Sequence, residues 1–221
     1  MLDGGGSERD RLPPPPTPPR KGEGRSGVEP MAADASSNRI AGLEALLKER
    51  QGKGPAPVEK WNPPYCGDIG MKIRSDGVWF YAGTPIGRMP LVKLFASVLR
   101  KDDDGKHYLV TPAEKVDVDV ADAPFLAVEM EVQGSGREQS LIFRTNVDDI
   151  VTAGPEHPIR FAVEPGSQGL KPYLHVRGRL EALVTRALYY DLVEMAVTEE
   201  RDGAQQLGLW SGGAFFAMPA V

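Results

Sequence analysis

The feature that most constrains the fold is a series of short segments in which apolar and polar residues alternate, separated by turns that contain glycine. Ile69, Met71 and Ile73 form the first such segment, and the Asp76-Gly77 pair that follows is typical of a hairpin turn. A period of two predicts half-buried strands, because successive side chains of a strand point to opposite faces. Further strands are predicted at 78–81, 107–111, 115–120, 125–133, 139–145, 159–163, 173–177 and around 208–217.

Two segments have helical periodicity instead. Pro90 suits the first turn of a helix whose apolar positions run to Leu99, and a second helix is predicted over 186–197. Because the helices are few and hairpins separate them, we predict an α+β fold of antiparallel sheets with two strong helices.

An alignment of the chain with itself at an offset of 98 residues suggests an internal repeat. The aligned pairs are Arg88 with Arg186, Leu94 with Leu192, and Asp104-Gly105 with Asp202-Gly203. Identities are few, so chance alignment stays an alternative, whereas a real duplication would give two related halves. We place the first unit at 61–135 and the second at 136–221.

The first 30 residues have a composition that does not support a folded core. They contain 7 Pro and 6 Gly against four apolar residues, and their charges cancel. We therefore expect a disordered leader at 1–35, with translation beginning naturally at Met31. Residues 36–60 predict a short helix followed by a linker rich in Gly and Pro, and we expect the helix to pack on the body or on a partner.

Composition excludes several classes of protein. One cysteine cannot form an internal disulfide, and no apolar run approaches the roughly 18 residues of a membrane span. No secretory signal sequence is recognisable, so we expect a cytoplasmic protein that does not bind membranes. The net charge of −5 argues against a general nucleic-acid partner. Oligomeric state stays open.

The candidate binding residues are four arginines and a histidine that lie near amphipathic aromatic residues such as Trp79 and Trp210. They are Arg88, Arg144, His175, Arg177 and Arg186. Arginine beside aromatic side chains can bind an anionic or planar small molecule by bidentate hydrogen bonds and stacking. The alternative is that the tryptophans fill the join between the two units while the arginines cap strand ends. For the repeated pair, Arg88 and Arg186, a hydrogen bond to a preceding carbonyl or a pairing with a carboxylate of the other unit is a further structural alternative.

These residues favour a non-enzymatic module that binds a small anionic ligand or a protein partner. An enzymatic alternative is a small hydrolase or transferase that uses Cys66 and Asp68 with His107 or His175, although burial of Cys66 as a structural residue is the simpler interpretation. A third alternative is an assembly module that docks through a helix at 37–51.

No metal or cofactor is predicted. Three scattered histidines and one cysteine lack the paired spacing of zinc ligands. Asp148-Asp149 follows Asn146-Val147, and this run of residues is more typical of the cap of a turn or short helix than of a cation site.

Several phrases, in order along the chain, also point to a known family. They are Pro63-Pro64-Tyr65-Cys66-Gly67-Asp68-Ile69, Asp76-Gly77-Val78-Trp79-Phe80-Tyr81, Pro85-Ile86-Gly87-Arg88, Leu109-Val110-Thr111-Pro112, Phe143-Arg144-Thr145-Asn146, Tyr173-Leu174-His175-Val176-Arg177 and Trp210-Ser211-Gly212-Gly213. Over about 36–218 the chain resembles the uncharacterised bacterial family "domain of unknown function 1285". The resemblance implies a compact two-unit α+β protein with a signalling or ligand-binding role and no established reaction. Gly70 stands where such sequences often have an acidic residue, which weakens a carboxylate pair built on Asp68.

Overall fold

The computed structural model describes residues 1, 56–164, 166–167, 169–201 and 203–220. The predicted leader, apart from Met1, and the predicted helix before residue 52 lie outside these residues. Of the predicted linker, the described part contains a short 3₁₀ helix, Val58–Lys60, in which Val58 is buried.

The first half of the protein is a six-stranded sheet, called sheet A. Its strands are β1 (Tyr65–Ile73), β2 (Trp79–Tyr81), β3 (Thr84–Pro85), β4 (Leu99–Lys101), β5 (His107–Val110) and β6 (Lys115–Val120). The spatial order is β3-β2-β1-β6-β5-β4. Two antiparallel three-stranded meanders are therefore joined where β1 pairs in parallel with β6. Helix α1 (Met89–Ser97) connects the meanders.

The second half repeats this topology in sheet B. Its strands are β7 (Phe125–Gln133), β8 (Ser140–Thr145), β9 (Ile150–Thr152), β10 (Ile159–Val163), β11 (Leu170–Arg177) and β12 (Leu180–Val184). The order is β10-β11-β12-β7-β8-β9, again two meanders joined by a parallel pair, β7 with β12. A second 3₁₀ helix, Gly136–Glu138, joins β7 to β8. The α+β prediction and the two related halves are confirmed.

A third, three-stranded sheet C follows helix α2 (Arg186–Glu194). It consists of β13 (Val197–Arg201), β14 (Ala204–Ser211) and β15 (Ala214–Ala217). Both α1 and α2 thus precede an antiparallel meander, and β13 begins 98 residues after β4. Gly105 and Gly203 both have left-handed φ, +80° and +77°, at the first turn of their meanders. The 98-residue alignment therefore marks a repeated helix–meander unit, whereas the sheets repeat at 60 residues, from β1 to β7.

The halves meet between β6 and β7, because sheet A ends at Val120 and sheet B begins at Phe125. The boundary placed at 135/136 from the sequence falls instead in the connection between β7 and β8. Alternation identified those two strands well, but it could not show that β7 pairs with β12 and that the hairpin therefore belongs to the second sheet.

The helices differ in how deeply they are buried. Val92, Phe95 and Ala96 of α1 are buried, and Phe95 stacks on Trp79 with 6.5 Å between ring centroids. In α2 the buried residue is Leu192 alone. Trp79 is therefore a core residue, and α2 leaves much of its surface to solvent.

None of the helices in the described part of the chain is both long enough and apolar enough to span a membrane.

Candidate functional site

Arg144, on β8, lies in a network of ion pairs. Its Nε donates to Glu129 Oε2 at 2.7 Å, and its Nη1 donates to Asp148 Oδ1 at 2.8 Å. Asp148 also pairs with Lys93 of α1. These cations hold the pKa of Asp148 below its usual value, with Lys93 the larger cause, and Arg144 lowers the pKa of Glu129. Because Lys93 belongs to the first half, the network connects the halves.

Arg177, at the end of β11, connects the halves a second time. Its Nη2 donates to the carbonyl of Ala96 at 2.7 Å, in the last turn of α1. Its Nη1 donates to Asp149, and its Cζ lies 5.1 Å from the ring centre of Phe125. The guanidinium therefore neutralises a carboxylate and adds a hydrogen bond to a carbonyl in the last turn of α1, where the carbonyls lack the amide donors of a following turn.

We call Lys93, Arg144, Asp148, Asp149 and Arg177 the inter-half clamp. A cavity of about 620 Å³ lies beside it, lined partly by Lys93, His157 and Arg177. Both arginines and Lys93 already have carboxylate partners. The clamp therefore holds the two halves together and leaves little positive charge for a ligand.

The turn that carries Asp148 and Asp149 is built by Thr145. The Oγ1 of this fully buried threonine accepts from the amide of Asp149 at 3.0 Å. Asn146 Oδ1 accepts from the amide of Leu126 at 3.0 Å. These contacts agree with the interpretation of this segment as a turn, and the described residues contain no cluster of metal-ligating side chains.

His175 is tied to the backbone. Its Nδ1 lies 3.0 Å from the carbonyl of Glu156, and its Nε2 lies 2.7 Å from the carbonyl of Gly178. Its ring stacks on His157 with 5.6 Å between centroids. Because both nitrogens already face backbone carbonyls, the ring joins the β9–β10 connection to the turn between β11 and β12.

Arg88 lies at the opposite end of α1 from Ala96, the residue that Arg177 contacts. It is the exposed N-cap residue of α1, and its carbonyl accepts from the amides of Leu91 and Val92. Ala96 follows eight residues later, about 12 Å along the helix axis at 1.5 Å per residue. The structure thus brings Arg144 and Arg177 to one turn and places Arg88 elsewhere.

Arg186, the first residue of α2, faces a cavity of its own. This Arg186 cavity has a volume of about 400 Å³ and lies between α2, β11 and β12. Its apolar lining comes from Leu170, Pro172, Leu183 and Val184, and Tyr189 and Tyr190 contribute aromatic rings.

The guanidinium of Arg186 has a single hydrogen bond among the described residues. Its Nε donates to the hydroxyl of Tyr190 at 3.1 Å, and its Cζ lies 5.8 Å from that ring's centre. The hydroxyl raises the pKa of Arg186, and no carboxylate of the described chain pairs with the group. Its two terminal nitrogens therefore offer a free edge toward a ligand.

Lys171 is the other cation of the cavity wall, and it is already neutralised. Its Nζ lies 3.1 Å from Asp122 Oδ2 and 2.9 Å from Glu164 Oε1. The two carboxylates raise the pKa of Lys171. The positive charge available to a ligand in this cavity consequently belongs to Arg186.

Cys66 and Asp68 show no activated arrangement in the described part of the chain. The half-buried thiol donates to the carbonyl of Pro64 at 3.5 Å, and Asp68 Oδ1 accepts from the amide of Gly70 at 2.7 Å. His107 is buried on β5, where desolvation and then Lys101 lower its pKa to about 4.

Sequence reasoning missed Lys93, Tyr189 and Tyr190. The tyrosines follow Arg186 by three and four residues, and these spacings place side chains on one face of a helix. That spacing was the signal available for the Arg186 cavity. Nothing local in the sequence pairs Lys93 with Asp148.

Two family models match the chain, and they divide it at the same place as the two halves of the structure. The family model of the DUF1285 N-terminal domain, a domain of unknown function, matches 56–123. That of the DUF1285 C-terminal domain, from a protein of unknown function, matches 124–218. The two models meet where sheet A gives way to sheet B. No curated protein matches the chain.

Two solved structures are similar. A DUF1285 family protein from Silicibacter pomeroyi DSS-3 is 49% identical, with a TM-score of 0.72 over 81% of this chain and 95% of that one. A DUF1285 family protein from Shewanella baltica OS155 is 30% identical, with a TM-score of 0.45 over 57% of this chain and 92% of that one. With both domain models matched in order, the chain belongs to the DUF1285 family.

Proposed function

We propose that the protein is a non-enzymatic binding module that takes up a small carboxylate in the Arg186 cavity. The observation that carries the proposal is the free edge of Arg186, whose Nε is anchored by Tyr190 and whose terminal nitrogens face no carboxylate of the described chain. A guanidinium held in this way presents two parallel N–H donors to a carboxylate.

The dimensions and lining of the cavity support this role. Its volume, about 400 Å³, falls within the range of roughly 300–1,000 Å³ that is usual for small-molecule sites. Apolar residues with one well-placed charge are the usual composition of such sites. Leu170, Pro172 and Leu183 would contact the apolar body of the ligand while Arg186 binds its carboxylate.

Binding is favoured over catalysis by the chemistry of the cation. A guanidinium stays protonated at neutral pH, so Arg186 can orient a carboxylate but cannot act as a general base. We further propose a regulatory role in the cytoplasm, which agrees with a chain whose single cysteine cannot form an internal disulfide.

The test is an NMR titration of the ¹⁵N-labelled protein with benzoate and with cyclohexanecarboxylate. At least one acid should cause saturable shifts at the amides of 170–172 and 183–190. The Arg186→Gln variant should lose them. Arg74→Gln is the matched control, because Arg74 is also exposed and also lies over an aromatic ring, Phe80, but lines no part of this cavity.

Two results would overturn the proposal. One is that neither acid gives saturable shifts in these segments. The other is that the shifts persist undiminished in Arg186→Gln while its spectrum otherwise matches the wild type.

A further inference from the structure

We infer that the Arg186 cavity selects planar aromatic monocarboxylates over other acids of similar size. This inference rests on the proposed function and adds two restrictions on the ligand, one on its charge and one on its shape.

The restriction to one negative charge comes from the balance of charges in the wall. Within the described ranges, the wall contains two cations, Lys171 and Arg186. Lys171 is bound by Asp122 and Glu164, whereas Arg186 has no carboxylate partner in the described chain. Glu164 itself lines the cavity. A second negative charge on the ligand would find no free cation among the described residues of the wall and would face the carboxylate of Glu164, so a dianion should bind less well.

The restriction to a planar ring comes from the arrangement of the walls. The rings of Tyr189 and Tyr190 are tilted 46° to each other with centroids 6.0 Å apart. The rest of the apolar lining is aliphatic and comes from β11 and β12, where Pro172 and Val184 are buried. A flat ring can contact both walls, and edge-to-face contacts with tyrosine add attraction that a saturated ring lacks.

The position of the carboxylate follows from Tyr190. This tyrosine is 52% exposed and holds Arg186 Nε, so it lies at the rim with the guanidinium beside it. A bound acid would therefore direct its carboxylate toward the rim and its ring toward Leu170 and Leu183.

The experiment compares four probes on the full chain by isothermal titration calorimetry. Benzoate is the expected ligand, cyclohexanecarboxylate removes the planar ring, terephthalate adds a second charge, and benzyl alcohol removes the charge. Benzoate should bind about fivefold more tightly than cyclohexanecarboxylate. It should bind roughly tenfold or more tightly than terephthalate or benzyl alcohol. In Tyr189→Leu the preference for benzoate over cyclohexanecarboxylate should disappear while both acids still bind.

The outcomes separate this inference from the function it rests on. If the two cyclic acids bind equally to the wild type, or if terephthalate binds as well as benzoate, the inference is wrong and the carboxylate site stands. If Tyr189→Leu keeps the full preference, the assignment of the ring site to Tyr189 is wrong. If no acid binds, or if benzyl alcohol binds as tightly as benzoate, the proposed function fails as well.

Discussion

The inter-half clamp and the Arg186 cavity contain the same residue type in opposite situations. In the clamp, Arg177 neutralises Asp149 and donates to the carbonyl of Ala96, and Arg144 binds Glu129 and Asp148. In the cavity, the one hydrogen bond that Arg186 makes within the described part of the chain goes to an uncharged hydroxyl. An arginine whose donors are taken up within the fold stabilises it, whereas one oriented by a neighbour and left without a counter-ion is suited to a ligand.

Burial separates the two regions in the same way. The side chain of Arg177 is 29% exposed and lies against the ring of Phe125. Arg186 is exposed on a helix that buries only Leu192. The more of an arginine's N–H donors are hydrogen-bonded within the fold, the more its substitution should lower the free energy of unfolding.

The largest effect on stability at neutral pH is expected for Arg177→Gln. The change removes an ion pair within the second half and the hydrogen bond that joins this half to the end of α1, and it leaves Asp149 without its cation. Urea unfolding should show a loss of about 2 kcal/mol. Arg74→Gln, which breaks an exposed pair with Asp76, should cost no more than about 0.5 kcal/mol. Equal losses in the two variants would show that Arg177 does not clamp the halves.

The next effect concerns His107, a buried ionisable group whose pKa is shifted by burial and by a like charge. Burial and then Lys101 lower this pKa to about 4 in the folded protein, from an ordinary value of 6.5. As pH falls from 6.5 toward 4 the unfolded chain binds a proton that the folded chain does not, so stability should fall. Urea unfolding across this pH range should show a shallower dependence in His107→Gln. If the wild type and His107→Gln show the same pH dependence of stability, His107 is not the group that causes it.

A smaller effect is expected for Arg144→Gln. Its partners Glu129 and Asp148 are largely exposed, so the loss of unfolding free energy should stay below about 1 kcal/mol. Added salt should shrink this loss, because exposed pairs are screened, while the loss in Arg177→Gln should largely persist. The comparison is made by repeating urea unfolding at low and high salt, and a salt-independent loss at Arg144 would place it among the buried contacts.

The smallest effect on stability is expected for Arg186→Gln. The variant loses one hydrogen bond to an exposed tyrosine, so its unfolding free energy should lie within about 0.5 kcal/mol of the wild type. Thermal unfolding measured by circular dichroism would detect a larger loss, which would give Arg186 a structural role like that of Arg177.

Much of the fold could be predicted from local patterns. Alternation identified the β7–β8 hairpin almost to the residue, and Pro90 with the apolar spacing after it identified α1. Very short strands escaped, among them Thr84–Pro85 and Ile150–Thr152, because two or three residues carry no readable period. The last strand, expected around 208–217, is in fact a hairpin that turns at Gly212-Gly213.

The candidate site was harder to predict from the sequence than the fold was. Sequence singled out Arg144, Arg177 and Arg186 alike, because each is an arginine near aromatic residues. Their roles differ through partners distant along the chain, such as Ala96, which lies 81 residues before Arg177. Contacts at this separation depend on how β11 packs against α1, and no local pattern encodes it.

The most direct test of the account is the dissociation constant of benzoate measured by calorimetry on Arg186→Gln and Arg177→Gln side by side, below the unfolding temperature of each. We predict that Arg186→Gln weakens benzoate binding roughly tenfold or more, while Arg177→Gln binds it as the wild type does. Weakening of binding in Arg177→Gln with none in Arg186→Gln would contradict the account.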